Sequence, residues 1–262
     1  MPRPTLRRVR WWLTGIVLAL CGGILPSAHA RDLNASLPYL PSVLETSERG
    51  AFIDLVKAID DVYTEGRIVI KIYPFQRSLY NVVSGNADFH LPMFKNPAIP
   101  PEQLPFRHIS VPMGNVVLVL YSHIDHPLTK EDLLKAKFIS PYPYVIETDR
   151  GLVESLNEIP IQGQSSVKQM FQKLDAKRID GFIFAQEDTD AVLKELRLKS
   201  IQRTFYLELG DFILVQKSDR GDEVDRILSQ ALRILQSQGR LQPLHQKIHR
   251  PYQDWQPADM GW

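Results

Sequence analysis

The sequence predicts an α/β protein with two similar lobes. Two segments about ninety residues apart, Arg77 to Phe94 and Lys168 to Gln186, share one pattern: an amphipathic helix, a six-residue step from an apolar residue to an Asp, and a short apolar strand. The matched positions are Val82, Gly85 and Asp88 in the first segment and Leu174, Lys177 and Asp180 in the second. Helix-to-strand units of this kind build parallel sheets. Because the unit occurs twice, we expect two lobes with a ligand-binding cleft between them.

The first thirty of the 262 residues have the composition of a secretory signal. Residues 1–10 carry four Arg and no acidic residue, Trp11 to Leu25 is almost wholly apolar, and Ala28-His29-Ala30 supplies the small residues of a signal-peptidase site. The apolar core is shorter than the roughly 20 residues that a membrane-spanning helix needs. We therefore expect cleavage after Ala30 and a soluble protein in the periplasm. The alternative is a lipoprotein anchored at Cys21, which the bulky residue before it disfavours.

The composition of residues 31–262 excludes several classes of function. Loss of the signal leaves 27 basic and 30 acidic residues, a net charge of −3. A nucleic-acid-binding protein would carry a dense basic face instead. Cys21 is the single cysteine and leaves with the signal, so the mature chain forms neither a disulfide nor a thiolate metal site. The remaining 232 residues are enough to bury a core without such cross-links.

The elements of the first lobe follow from their hydrophobic periodicity. Ala51 to Tyr63 has apolar residues at helical spacing, whereas Arg67 to Tyr73 alternates and is β-branched, which is typical of a strand. Pro74 ends that strand, and Gly85 stands where a helix stops. The predicted order is a strand at 33–40, a loop at 42–50, a helix at 51–63, a strand at 67–73, a helix at 76–85, a strand at 88–92 and an extended loop at 96–105.

Two long apolar segments predict strands that cross between the lobes. Val111 to Tyr121 is the most apolar run after the signal, and Tyr206 to Gln216 is a second long strand interrupted by Gly210. A Ser at 165 or 166 is suited to cap a helix that runs to Lys177. The other predicted elements are a helix at 128–136, strands around Phe138 and at 144–146, a helix after Arg150-Gly151, and a helix at 222–238.

Several segments together resemble one known family. Gly50 to Val56, the helix end at Val82 to Asp88, Phe106 to Pro112, Leu133 to Phe138 and Leu174 to Asp180 are similar, in this order, to segments of the bacterial family 3 extracellular solute-binding proteins. The resemblance covers essentially the whole chain after the signal. It implies a two-lobed type II periplasmic binding protein fold, in which each lobe is a mainly parallel sheet flanked by helices and two strands cross between the lobes.

The resemblance also implies how such a protein works. Lobe one would comprise residues 31–118 and 210–262, and lobe two residues 119–209. The lobes would close over a ligand by hinge motion, and the loaded protein would deliver the ligand to an inner-membrane permease. We expect a monomer that needs no cofactor.

Two departures from the family pattern argue against a simple α-amino acid as ligand. Amino-acid binders of the family carry an Arg that holds the α-carboxylate, but the corresponding span, Asn96 to Leu104, contains no Arg. They also carry an Asp for the α-amino group five residues after the equivalent of Asp180, where this chain has Ala185. A bidentate clamp for a carboxylate would have to come from elsewhere in the chain.

In parallel α/β lobes a ligand lies beyond the carboxyl ends of the strands. We therefore predict eight ligand contacts: Tyr39, Arg77, Met93, Phe94, Arg150, Gly151, Phe184 and Gln186. Tyr39 and Phe94 would stack on the ligand, unless they are core aromatics.

Three of these contacts are polar and have alternatives of their own. Arg77 begins a helix, where a cation is unfavourable, so we expect a carboxylate partner from either the ligand or a nearby Glu. Arg150 precedes an expected helix start, where backbone N–H groups also receive anions, so it is the candidate replacement clamp unless it is a solvated turn residue. Gln186 and its neighbour Glu187 would take an ammonium or hydroxyl group.

The histidines do not predict a metal site. His245 and His249 are four residues apart on a predicted helix, which is the spacing of a metal pair. No cysteine or carboxylate in the sequence pattern completes a ligand set there, and His123 with His126 is equally isolated.

The function predicted best is capture of a small polar solute, amino-acid-like or another small organic anion or zwitterion, for an ABC-type uptake system. One alternative is a lyase similar to the periplasmic cyclohexadienyl dehydratases, with Glu48, Glu147 or Glu187 as general acid. Another is a sensing module that contacts a membrane receptor kinase. No catalytic residue is assigned, because no spacing singles out one Glu.

Overall fold

A computed structural model describes residues 31–40, 43–164 and 166–262 of the chain. The predicted signal, its cleavage site after Ala30 and Ser165 lie outside the described residues. Within them, strands and helices alternate along the chain, so the predicted α/β class is confirmed.

The strands described in the structure form one nine-stranded sheet. They are β1 (Leu33–Pro38), β2 (Ile68–Tyr73), β3 (Phe89–Lys95), β4 (Arg107–His108), β5 (Gly114–His123), β6 (Ile146–Asp149), β7 (Gln162–Gln164), β8 (Gly181–Ala185) and β9 (Ile201–Val215). Their order is β2-β1-β3-β9-β5-β8-β6-β7, with β4 paired to β9.

The sheet consists of two parallel parts joined by two long antiparallel strands. In the first half-sheet, β1 pairs in parallel with β2 and β3, and in the second half-sheet β6 pairs in parallel with β7 and β8. Strands β5 and β9 pair with each other between the halves, and each also pairs with a half-sheet. The prediction of two crossing strands is confirmed.

The predicted interruption of β9 at Gly210 is wrong. Gly210 stays in the ladder opposite Asn115 and Lys95. A Cβ atom there would lie 2.8 Å from Cε2 of Phe212. The glycine therefore leaves room for that ring while the strand continues.

Seven α-helices in the described residues cover the sheet. They are α1 (Ala51–Val62), α2 (Phe75–Val83), α3 (Lys130–Ala136), α4 (Val167–Asp175), α5 (Gln186–Leu196), α6 (Asp219–Ser237) and α7 (Leu241–Ile248). Short 3₁₀ turns lie at Pro101–Gln103, Val153–Ser155 and Pro257–Asp259. Ser166 caps α4 by accepting a hydrogen bond from the Gln169 N–H at 3.3 Å, as one of the two predicted serines should.

The repeated pattern in the sequence produces the same backbone geometry twice. Gly85 and Lys177, which follow α2 and α4, both adopt left-handed conformations, with φ of 76° and 54°. Three residues later, the Asp88 carboxylate accepts a hydrogen bond from the Asn34 N–H at 2.7 Å, and the Asp180 carboxylate accepts one from the Val145 N–H at 2.7 Å. Each Asp thus ties its own strand to the start of the neighbouring strand.

The predicted strand around Phe138 is wrong. Residues 137–140 form a turn, and Phe138 is 83% exposed. Pro141 and Pro143 lack the N–H groups that a strand ladder requires. Pairing therefore begins later than predicted, at Ile146.

The predicted helix after Arg150-Gly151 is also wrong. The Gly151 N–H donates to the Asp149 carboxylate at 2.8 Å and the Leu152 N–H donates to the Asp149 carbonyl at 2.9 Å, which closes a turn. Only the 3₁₀ turn Val153–Ser155 follows. Since a three-residue turn supplies no helix N-terminus, the backbone contribution expected at Arg150 is missing.

Two hydrophobic cores lie on either side of the crossing strands. The first core packs α1, α6 and α7 on the first half-sheet and draws its buried residues from 33–113 and 213–248. The second core surrounds the second half-sheet and draws most of its buried residues from 116–209. The exact lobe boundaries, 31–118 with 210–262 and 119–209, stay a prediction.

The C-terminal segment after α7 returns to the second core. Arg203 of β9, whose side chain is fully buried, donates to the carbonyls of Gln253 and Trp255 at 3.0 and 2.8 Å and forms a bidentate ion pair with Asp190 of α5. Its guanidinium also lies 4.1 Å from the ring centre of Trp255. Residues 250–256 are thereby fixed against β9 and α5.

None of the helices in residues 31–40, 43–164 and 166–262 has the length and apolar character needed to cross a membrane.

Candidate functional site

A small cavity of about 40 Å³ lies between the two cores. Its lining comes from β3, β8 and both crossing strands, so it is located where the carboxyl ends of the two parallel half-sheets face each other. Most of the lining is apolar: Leu40, Val43, Phe52, Phe75, Pro92, Met93, Phe94, Val116, Leu152, Phe184 and Ala185. Four ionisable residues complete it: Glu187, Asp188, Asp211 and His249.

The structure brings four of the predicted contacts to this region. Met93, Phe94 and Phe184 line the cavity and are at most 5% exposed. Gln186 begins α5 and lines a larger adjoining recess of about 320 Å³, which shares Glu187 and Val43 with the cavity. Its amide group donates to the carbonyl of Arg250.

Gly151 approaches the cavity from the second half-sheet. A Cβ atom on Gly151 would lie 2.4 Å from Cδ1 of Phe75, which lines the cavity from the first half-sheet. The absence of a side chain at Gly151 therefore allows the two sides to touch.

The other three predicted contacts lie outside the cavity. Tyr39 is 54% exposed, and its backbone N–H extends the ladder by donating to the carbonyl of Tyr73 at 2.8 Å. Arg77 on α2 and Arg150 in the turn after β6 are exposed, and neither belongs to the lining of the cavity or of the adjoining recess. As ligand contacts, all eight residues stay predictions.

Three ionisable side chains meet at one end of the cavity. Nε2 of His249 lies 3.0 Å from a carboxylate oxygen of Asp211, and Nδ1 lies 3.4 Å from a carboxylate oxygen of Glu187. Asp211 is 1% exposed, and the side chains of Glu187 and His249 are 8% and 7% exposed. We call these three residues the buried acid–histidine cluster.

The two carboxylates keep His249 charged. Burial alone would lower the pKa of this imidazole, but the hydrogen bond to Asp211 and the neighbouring carboxylate of Glu187 outweigh burial and raise its pKa to about 9. His245, whose ring centre lies 5.1 Å from that of His249, behaves oppositely. Burial and the charge of His249 lower the pKa of His245, and its Nε2 accepts a hydrogen bond from the Asn115 N–H at 2.9 Å.

The sequence pattern pointed to only part of this cluster. It predicts Glu187 as a partner for an ammonium or hydroxyl group, and it contains the four-residue spacing of His245 and His249. Asp211 gave no signal, because its contact with His249 depends on how α7 packs beside β9. In residues 31–40, 43–164 and 166–262, no three His, Cys, Asp or Glu side chains are placed to hold a metal ion.

Comparison with known proteins gives a fold but no relative by sequence. No family model and no curated protein matches this chain. Solved structures do match over most of its length. The GluR0 ligand-binding core from Nostoc punctiforme, in complex with L-glutamate, has a TM-score of 0.63 and 16% identity, and the match covers 84% of this chain and 100% of that chain.

Two further matches have different named roles. A histidine kinase sensor domain with similarity to periplasmic binding proteins has a TM-score of 0.64 and 16% identity, with 83% of this chain and 96% of that chain covered. A putative L-cystine ABC transporter protein from Listeria monocytogenes has a TM-score of 0.62 and 18% identity, with 83% and 95% covered. The two-lobed type II periplasmic binding protein fold that the sequence resemblance implied is therefore confirmed.

Proposed function

We propose that this protein is a periplasmic solute-binding protein that captures a small solute between its two lobes for an ABC-type uptake system. The observation that carries the proposal is the cavity between the two cores. It is lined from the ends of both half-sheets and from both crossing strands. A solute held there contacts both lobes at once, which is how ligand binding favours a closed state.

The named roles of the similar structures support this proposal. They include amino-acid and cystine ABC transporter proteins and a glutamate-bound core. The secretory composition of residues 1–30 supports the periplasmic location. The sensor-domain match favours the second arrangement, in which the same binding step is read by a membrane receptor in place of a permease.

Contact between Gly151 and Phe75 provides a test of closure. Since a Cβ atom at Gly151 would overlap the Phe75 ring, Gly151→Ala should hold the two sides of the cavity apart. We expect this variant to bind solute more weakly than the parent while the ligand-free protein stays folded. Phe75→Leu on the Gly151→Ala background should restore part of the affinity, because the smaller side chain leaves room for the new methyl group.

The experiment screens amino acids, organic amines and small carboxylates against the periplasmically expressed protein, by thermal unfolding and small-angle scattering. A bound solute at about one hundred times its Kd should stabilise the parent by about 2.7 kcal/mol and make it more compact. The single variants Gly151→Ala and Phe75→Leu, with the double variant, form a double-mutant cycle that isolates the contact between these two residues.

Three results would contradict the proposal. One is a protein that no solute stabilises or compacts. A second is a Gly151→Ala variant that binds and compacts like the parent. The third is steady consumption of a bound solute such as prephenate, which would identify the lyase alternative.

A further inference from the structure

Three polar atoms of the buried acid–histidine cluster have no hydrogen-bond partner among the residues that the structure describes. They are Oε2 of Glu187, Oδ1 of Asp211 and Nδ1 of His249, and each is shielded from solvent. All three residues line the cavity. Buried carboxylate oxygens in folded proteins nearly always accept hydrogen bonds, so the two oxygens require a donor that the described residues do not supply.

The charges around the cavity show what kind of donor fits. Three carboxylates line it, those of Glu187, Asp188 and Asp211, and His249 is the cationic residue among the lining positions. No Lys or Arg belongs to the lining that the structure describes. Asp188 has partners of its own. The carboxylates that still need a hydrogen-bond donor are therefore those of Glu187 and Asp211.

His249 does not satisfy these carboxylates by itself. It donates one hydrogen bond, through Nε2, to the Oδ2 atom of Asp211. From the described residues, Glu187 accepts hydrogen bonds at Oε1, from the Arg250 N–H at 3.2 Å and from the Gln186 amide at 3.4 Å, but none at Oε2. One imidazolium between two carboxylates also leaves an excess of negative charge in a site with little solvent, where charge is costly.

The apolar lining of the cavity indicates which chemical groups the rest of the ligand carries. Phe52, Phe75, Phe94 and Phe184 lie around it together with Met93 and Leu152. Aromatic faces of this kind attract both apolar groups and cations. A ligand carboxylate would find one cationic partner among the described lining residues, the His249 imidazolium, which already lies between the carboxylates of Asp211 and Glu187.

We propose that the solute is a small organic amine with an apolar body and no carboxylate, whose ammonium group donates hydrogen bonds to Oε2 of Glu187 and Oδ1 of Asp211. This inference rests on the proposed function and narrows its ligand class. It replaces the anion or zwitterion that the sequence favoured. Recognition of a cation needs no Arg clamp, which accounts for the family's carboxylate-binding Arg being missing between Asn96 and Leu104.

The test uses matched ligands and matched variants of the full chain expressed in the periplasm. Aliphatic and aromatic primary amines, beginning with isobutylamine and benzylamine, are each compared with the alcohol, the carboxylate and the amino acid of similar carbon skeleton. Dissociation constants are measured by calorimetry. We expect at least one amine to bind at least about tenfold more tightly than its analogues, which is the difference that one charge-assisted hydrogen bond makes.

The variants locate the ammonium site. Glu187→Gln and Asp211→Asn keep the shape of the side chain and should each weaken amine binding at least about tenfold. Glu195→Gln is the matched control, because Glu195 is exposed near the end of the same helix α5 and lies outside the cavity lining. It should bind the amine like the parent. If Asp211→Asn fails to fold, Glu187→Gln alone decides.

The outcomes separate this inference from the proposed function. Preferred binding of a carboxylate or zwitterion overturns the amine inference and leaves the solute-binding function standing. An amine that binds Glu187→Gln and Asp211→Asn as tightly as the parent also overturns the inference alone. If no member of any ligand class binds, both the inference and the proposed function fall.

Discussion

Two carboxylates that are distant from His249 in sequence stabilise the protonated form of its imidazole. Asp211 lies on β9, Glu187 lies in the first turn of α5, and the Phe52 ring packs edge-on against the imidazole at 5.7 Å between ring centres. Removing one member of such a buried group is expected to cost more than removing an exposed pair, because it leaves an uncompensated charge.

Arg150 provides the first prediction at this scale. Because the side chain is exposed and absent from the cavity lining, Arg150→Ala should change the affinity for solute by less than about 0.5 kcal/mol, as for other exposed charges. Titration calorimetry against the bound solute measures this change. A loss of about 1.5–3 kcal/mol, the usual worth of a charge-assisted hydrogen bond, would instead support the anion contact that the sequence suggested.

Single positions show how far the sequence predicts the site. Met93, Phe94 and Phe184 are predicted because the carboxyl ends of parallel strands converge, and the structure places all three in the cavity lining, although their contact with a ligand stays a prediction. The sequence does not predict the pairing of Asp211 with His249, because residues far apart in the chain come into contact only in the folded protein. The helix expected after Arg150 is replaced by a turn around Asp149, and the role of Arg150 as a ligand contact stays a prediction.

Among the elements, the two helix-to-strand units share one unusual backbone position. Gly85 and Lys177 both have positive φ, although only the first is a glycine. A side chain in this conformation is strained. Because the two equivalent positions share this conformation, the left-handed backbone is a property of the helix-to-strand unit. The second unit adopts it despite the strain that the Lys177 side chain adds.

The second prediction follows from this geometry. Gly85→Ala should lower the free energy of unfolding by about 1–2 kcal/mol, because alanine resists a left-handed conformation and its Cβ would lie 3.2 Å from Nε2 of Gln216. Chemical denaturation measures the change. Gly85→Asn has the same Cβ but tolerates positive φ better, so its loss should be smaller. Equal losses for Ala and Asn would show that contact with Gln216, and not backbone strain, is responsible.

Elements were predicted well where periodicity was strong and poorly where prolines or short turns intervened. The helix α1 and both crossing strands follow from long apolar patterns. The helix α5 was missed because it begins directly after β8, at Gln186, without a loop between them. Phe138 has the character of a strand residue but lies exposed beside two prolines.

For the whole molecule, three histidines predict how stability depends on pH. The pKa of His249 is raised to about 9, so its contribution is fully present below its unfolded value of about 6.5 and is lost as pH rises through 9. Burial lowers the pKa of His90 to about 3 and that of His108 to about 4. Their contributions are present above about 6.5 and are lost as pH falls toward those values.

The third prediction is therefore a maximum of stability close to pH 6.5. His249 alone should account for a loss of about 1–2 kcal/mol between pH 6.5 and 8, and His90 with His108 for about 2–4 kcal/mol between pH 6.5 and 5. Denaturant titrations at these three pH values measure the free energy of unfolding.

A matched pair of variants tests whether His249 is the group responsible for the loss of stability above pH 6.5, which is the alkaline limb of the profile. His249→Gln should flatten it, whereas substitution of the exposed His126 by Gln should leave it unchanged. An alkaline limb that survives in His249→Gln would place the titrating group elsewhere in the molecule.

The C-terminal segment has a consequence for the rate at which solute is exchanged. The backbone passes between the two cores along β5, along β9 and again through residues 249–256, which Arg203 fixes in place. If the protein closes on its solute by hinge motion, as we propose, this third link limits how far the two halves can separate. In the proposed binding cycle, opening wide enough to admit or release a solute requires the carbonyls of Gln253 and Trp255 to detach from Arg203. We therefore expect the hydrogen bonds from Arg203 to the carbonyls of Gln253 and Trp255 to affect the residence time of a bound solute more than its affinity.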